Sequence, residues 1–207
     1  MENSSHFQIN DYLKPGRHAH LVGIGGVSMR PLGLVLRSMG MQISGSDMNA
    51  SVSTDELMAK GIAVSIGHRA ENIEGADCII RTAAANNDNP EIAAARAAGI
   101  PIFERAQAWG YIMKAYRHAI CVSGTHGKTT TTSMLTQIFM EAGKDPTVMI
   151  GGSLPLLGAG HRVGQGDTII LESCEYCNSF LNFFPTTAVV LDIDADHLDF
   201  FKDLEDV

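Results

Sequence analysis

The run GTHGKTT at 124–130 carries the clearest chemistry in the sequence. It stands between an apolar stretch, AICVS at 119–123, and a long helical pattern, so N–H groups of a glycine turn and of a helix N-terminus can converge on an anion. Lys128 is spaced to reach the β- and γ-phosphates of a nucleotide, and the Thr129 hydroxyl to ligate Mg²⁺. Gly124, Thr125, His126, Gly127 and Thr130 complete the cradle. Val122 stands where the usual phosphate loop has its first glycine, so this is a shortened variant. The competing reading is a glycine-containing turn with an incidental lysine. The order strand, loop, lysine, hydroxyls, helix favours phosphate.

Two polar clusters follow at strand ends, where α/β proteins place their ligands. Glu172 and Glu175 lie just beyond the stretch 167–172, and Asp194, Asp196, His197 and Asp199 just beyond 187–193. A carboxylate and an imidazole there could hold Mg²⁺ and orient phosphates. In isolation they would read as solvated acidic loops; beside a phosphate loop the metal reading is preferred.

A second glycine turn, GIGGVS at 23–28, is similar to a dinucleotide fingerprint, with Ser28 in place of the third glycine and Asp47 at the distance expected of a ribose ligand. A turn without ligand and a nicotinamide or flavin site both remain open on this pattern. Arg30 could add a phosphate contact. His68, Asn86, Asn87 and Asn89 fall at loop ends of the same sheet, where each residue type is at home in a turn. Cys174 and Cys177 form the only CxxC, without the partners a zinc or redox site needs.

The elements that must position these groups alternate β-branched runs with helical patterns, the mark of parallel α/β structure. Strands are expected at 18–24, 41–47, 62–66, 77–84 and 100–103. Helices are expected from the first glycine turn to Met39, from a capping box of Ser53 and Glu56 to Lys60, and over PEIAAARAA from Pro90. The segment 104–118 looks helical and polar enough for a surface connection, and the domain boundary is placed within it. Beyond it come a helix over 128–142 with Met134, Leu135, Ile138 and Phe139 on one face, and strands at 119–123, 147–150, 167–172 and 187–193. A further helix is expected at the end. The fold class is therefore α/β: a Rossmann-like parallel-sheet domain over 1–105, then an incomplete ATP-binding domain of the phosphate-loop type over 106–207, with three or four strands.

The 207 residues carry 15 Lys+Arg against 23 Asp+Glu, with 45% hydrophobic residues. That balance excludes disorder and leaves no basic footprint for nucleic acid or an anionic membrane. No apolar run reaches the ~18 residues of a spanning helix, and the four cysteines do not make a disulfide scaffold. A reducing, cytoplasmic setting is expected.

GIGGVSM at 23–29, SGSD at 44–47, DNPE at 88–91, GTHGKTTTT at 124–132, the E-x-x-E of 172–175 and DHLD at 196–199 occur in that order. Together, from about His18 onward, they resemble the Mur ligases of peptidoglycan synthesis, and within them the branch that joins L-alanine to UDP-N-acetylmuramate or its tripeptide-joining relative. The resemblance implies ATP-dependent amide formation through an acyl phosphate, with ATP and Mg²⁺ required and UDP-N-acetylmuramate and L-alanine as substrates. It implies that Lys128 neutralises phosphate charge, that Thr129, Glu172 and His197 serve the metals, and that His126 faces the muramyl carboxylate. Lys128, Glu172 and His197 are thus the catalytic candidates. Gly25, Gly26, Asp47 and His68 would hold the UDP part, in place of NAD. The sequence departs from the family pattern at Arg30, Pro31 and Arg81. Family members are longer, with a third domain, so the chain is expected to be an N-terminal fragment, inactive alone; a non-catalytic nucleotide-binding module is the alternative.

Overall fold

The structure, a computed structural model, describes residues 7–195 and 200–205. The chain divides into two compact units, one ending at Ala108 and the other beginning at Trp109.

The first unit runs β1 (His18–Val22), α1 (Met29–Ser38), β2 (Gln42–Asp47), α2 (Val52–Ala59), β3 (Ala63–Ile66), β4 (Cys78–Arg81), α3 (Pro90–Ala98) and β5 (Ile102–Glu104). Its sheet has the order β3-β2-β1-β4-β5, with every pair parallel. The chain winds outward from β1 in one direction and then the other. The crevice between the C-terminal ends of β1 and β4 is therefore the switch point where such sheets take ligands. Leu32, Val35 and Leu36 of α1 are buried as their spacing predicts. Val22, Ile73, Ile79, Ile92 and Ala95 form a core cluster, each large side chain contributing about 1.5–3 kcal/mol by leaving water.

Helix α2 is capped two residues earlier than expected. Ser51 is the N-cap: it accepts the Thr54 N–H, and the Thr54 hydroxyl accepts the Ser51 N–H. Ser53 and Glu56, expected to form that box, instead lie one helical step apart and both accept from the Arg30 guanidinium. Helix α3 opens at Pro90 as expected; Asn89, at home in a turn by its type, proves to be the N-cap, and Gly99 the left-handed C-cap.

The segment 104–118 corrects the expectation of a polar surface connection. It forms α4 (Arg105–Met113), in which Ala108, Trp109, Ile112 and Met113 are buried. A Cβ at Gly110 would overlap the carbonyl oxygen of Asn182, in the 3₁₀ turn of Tyr176–Asn182. Helix and turn meet there backbone to backbone.

The second unit contains β6 (His118–Ser123), α5 (Lys128–Glu141), β7 (Thr147–Leu154), β8 (Ala159–Arg162), β9 (Thr168–Glu172) and β10 (Thr187–Val190). The sheet order is β10-β6-β9-β7-β8, five strands where three or four were expected. β6 pairs in parallel with β9 and β10, and β7 with β9, whereas β8 returns antiparallel to β7 in a hairpin that AGHR, without a β-branched residue, did not announce. The apolar face expected of α5 is only half right. Leu135 and Phe139 pack on the Ile120, Val148, Ile150 and Ile170 cluster, while Met134 and Ile138 are exposed. The buried positions are Thr132 and Thr136, whose hydroxyls donate to the carbonyls of Lys128 and Thr132 at 2.8 and 2.7 Å. Residues 200–205 form turns, with no helix among them.

Candidate functional site

In the second unit, β6 delivers the chain to 124–127 and α5 carries it away. Gly124, at φ +136°, holds a conformation that side chains avoid, and a Cβ there would lie 2.8 Å from Asp192 Oδ1. That closeness lets the segment after β10 pin the loop. Asp192 accepts the His126 N–H at 2.9 Å, and the Thr125 hydroxyl bridges the N–H and carbonyl of Asp194 at 2.9 and 3.2 Å. Asp192 was missed in the sequence, although it opens the acidic run that was singled out.

Lys128 Nζ donates to the carbonyls of Gly124 and Thr125 and lies 3.3 Å from a Glu175 oxygen. The ammonium therefore bridges the loop and Glu175, which is itself nearly buried. The Thr129 hydroxyl lies 3.0 Å from both oxygens of Glu172, which also accepts the Gly151 N–H at 2.7 Å. A Cβ on Gly151 would stand 2.7 Å from Glu172 Oε1, so only glycine leaves the carboxylate where Thr129 meets it. A hydroxyl and a carboxylate converging at a phosphate loop suit a small, hard divalent cation, which draws its other ligands from phosphates and water. Among the described residues, no group of three or more His, Cys, Asp or Glu could hold a metal ion. His197, Asp196 and Asp199 lie outside the described residues. The ring of His126 is exposed, as is Thr130. Beside the loop is a cavity of about 330 Å³, lined by Ser123, Thr125, Glu175, Phe180 and Phe183 among others.

In the first unit a cavity of about 700 Å³ opens at the β1/β4 switch point, lined by Gly23, Gly26, Asp47, His68, Thr82 and Asn86 among others. Asp47 accepts the Gly25 N–H at 2.9 Å, and a Cβ on Gly25 would meet the same oxygen at 2.9 Å. The four residues expected to serve this site thus gather in one region: Gly26, Asp47 and His68 line the cavity and Gly25 is tied to it through Asp47. Arg30 is drawn instead to Ser53 and Glu56. Arg81 is drawn to Glu104, 2.7 Å away, and to Asn87.

The polar heart of this unit is Glu91, a residue the sequence reading placed only within DNPE. Its carboxylate is fully buried and accepts from Ser46 at 2.6 Å and from Asn72, with His68 Nδ1 at 3.2 Å and His20 Nε2 at 3.7 Å. Burial opposes its charge, but the His20, Ser46 and Asn72 contacts outweigh that and hold the carboxyl down at about 2. The thiols of Cys78 and Cys121 go the other way, pushed up to about 12 by burial.

Two models of one family match the chain in succession: the Mur ligase family catalytic domain over residues 18–117, and the Mur ligase middle domain over 122–207. The UDP-N-acetylmuramate–L-alanine ligase of Clostridium botulinum is 49% identical over 198 residues, 95% of this chain and 43% of that protein. The solved UDP-N-acetylmuramate–alanine ligase of Thermotoga maritima superposes with a TM-score of 0.81 at 32% identity, over 88% of this chain and 43% of that one. The UDP-N-acetylmuramate:L-alanyl-γ-D-glutamyl-meso-diaminopimelate ligase of Neisseria meningitidis gives 0.81 at 27% identity, over 91% of this chain and 64% of that one. The chain spans about 43% of the length of the curated relatives it matches. With both family domains in chain order on the two α/β units, the chain belongs to the Mur ligase family.

Proposed function

We propose that this chain supplies the sugar-nucleotide and ATP sites of a ligase that joins L-alanine to the carboxylate of UDP-N-acetylmuramate, with residues 1–105 holding the UDP part and 106–207 the ATP. The observation that carries this reading is the convergence of Lys128, Thr129 and Glu172 on one glycine loop. A carboxylate attacking a γ-phosphate meets a like charge, and the barrier falls when fixed N–H dipoles and cations face the transferring group. The loop amides and the α5 N-terminus supply the dipoles. Lys128 exchanges its contacts to the Gly124 and Thr125 carbonyls for phosphate oxygens, with Glu175 keeping the ammonium in place. Thr129 and Glu172 hold Mg²⁺, which when bound neutralises phosphate charge. The family resemblance assigns His197, which lies outside the described residues, to the metals, and His126, exposed at the loop, to the substrate carboxylate. In the first unit, Gly25, Gly26, Asp47 and His68 take the UDP moiety. ATP and UDP-sugars are cytoplasmic metabolites, which places the reaction there; among the described residues, no helix is long and apolar enough to cross a membrane.

Calorimetric titration with UDP-N-acetylmuramate, and separately with ATP and Mg²⁺, tests the assignment. Lys128→Ala is expected to weaken ATP about 10- to 100-fold, the value of a hydrogen bond to a charged group, and to leave the sugar nucleotide unaffected. Equal loss of both ligands, or of neither, would overturn it. The equal TM-score to the Neisseria meningitidis ligase supports a second reading, in which the amine is a tripeptide. ADP release driven by that tripeptide and not by L-alanine would select it.

A further inference from the structure

The first unit's cavity has a charge problem if it takes a diphosphate. Its lining contains the carboxylates Asp47 and Asp88, and no lysine or arginine among the described residues. Arg30 and Arg81 are each engaged by an acid, Glu56 and Glu104, at 2.7 Å. His68 is the one lining side chain that can acquire positive charge.

The hydrogen bonds behind His68 determine which of its nitrogens is available. Glu91, ionised and buried, can only accept. Ser46, at 2.6 Å, must spend its single proton on that carboxylate. The Ser46 oxygen can then only accept from His68 Nδ1, 3.0 Å away, and Glu91 Oε2 also faces that nitrogen at 3.2 Å. Nδ1 therefore carries a hydrogen, and Nε2 is the nitrogen left for a ligand. A carboxylate behind an imidazole favours its cation and fixes its orientation.

We propose that His68, braced by Glu91 and Ser46, is the group that recognises the diphosphate, taking a proton on Nε2 as the anion arrives. Glu91 is then a positioning residue that never touches the ligand. The inference rests on the sugar-nucleotide reading of this cavity and adds to it a proton linkage. The other charged or titratable groups around the ring are Asp47 and Asp88 in the cavity and His20 on β1, whose Nε2 lies 3.7 Å from Glu91 and has no hydrogen-bond partner among the described residues. His20 is the rival source of any pH effect.

The experiment is calorimetric titration of the whole chain with UDP-N-acetylmuramate at pH 6 and pH 8. Neither the diphosphate diester nor the carboxylate of that probe titrates in this range. The wild type is expected to bind about ten-fold tighter at pH 6, with proton uptake in buffers of different ionisation enthalpy. His68→Gln is expected to bind more weakly than the wild type and equally at both pH values, and Glu91→Gln to lose most of the pH effect. Because Glu91→Gln could unfold the unit, the tautomer is read independently in the wild type: nitrogen-15 spectra at pH 8 should show His68 protonated at Nδ1. Binding without pH dependence, pH dependence surviving in His68→Gln, or an Nε2–H tautomer would each overturn the proposal and leave the sugar-nucleotide reading intact. No binding at either pH would overturn both.

Discussion

The two glycine turns of this chain are built alike and charged differently. Each follows a parallel strand and leads into a helix, and in each an aspartate from a neighbouring segment accepts a turn N–H: Asp47 from Gly25, Asp192 from His126. The difference lies in what stands behind. The loop of 124–127 has a lysine, Lys128, paired with Glu175, and beside it the Thr129 hydroxyl facing Glu172. The turn of 23–26 has no lysine at all, and its polar reserve is an internal network around Glu91. On the proposed reading, the first of these turns serves a triphosphate in transfer, where charge moves, and the second a diphosphate that only has to be held.

The comparison breaks most visibly at Glu91. Glu91→Ala would leave Ser46, Asn72, His20 and His68 facing a gap, and a loss of about 3–5 kcal/mol in denaturant unfolding is expected, as for other broken buried ionic networks. A change under 1 kcal/mol would mean the network is not structural. Acid probes the same group without mutation. Glu91 titrates near 2 in the folded chain against an ordinary 4.5, so below pH 4.5 the unfolded chain binds the extra proton and stability falls with pH. The contribution is fully present above about pH 4.5 and lost on the way to pH 2; at about 1.4 kcal/mol per pH unit it amounts to about 3 kcal/mol. Acid unfolding of the wild type should show that loss in this window, and Glu91→Gln should not.

On the other turn, Gly151→Ala would push Glu172 away from Thr129. A roughly ten-fold weaker response to Mg²⁺ in ATP titrations is expected, with sugar-nucleotide binding untouched; an unchanged response would separate Glu172 from the metal. The smallest effect distinguishes two serines of α2. Ser51→Ala should cost about 1 kcal/mol as a lost cap, and Ser53→Ala, which removes one of the contacts to Arg30, no more than about 0.5 kcal/mol. The reverse order of thermal shifts would restore Ser53 as the cap.

Signals confined to one stretch of chain were legible. Pro90 opens α3, and the run from Gly124 to Thr129 announces its loop because each residue type serves a neighbour close by. Where two local readings competed, only packing decided. Ser51 and Ser53 both precede a polar residue by three positions, and the one chosen is the one that leaves Ser53 and Glu56 facing Arg30. Trp109, Ile112 and Met113 have core spacing, yet the polar residues around them disguised a buried helix as a surface one. Glu91 was illegible as a centre because its partners come from β1, β2, the 3₁₀ turn near Asn72 and His68, which meet only in three dimensions.

The contact between Gly110 and Asn182 has a consequence for how variation is tolerated. Because Gly110 faces the main chain of Asn182, any side chain at residue 110 collides with a carbonyl that cannot rotate away. A saturation library across 105–113 would therefore show one position closed to every substitution, alanine included, although it carries no chemistry and no apolar surface. Such a position is invisible to hydropathy or charge, and it marks where the second unit is held together by shape.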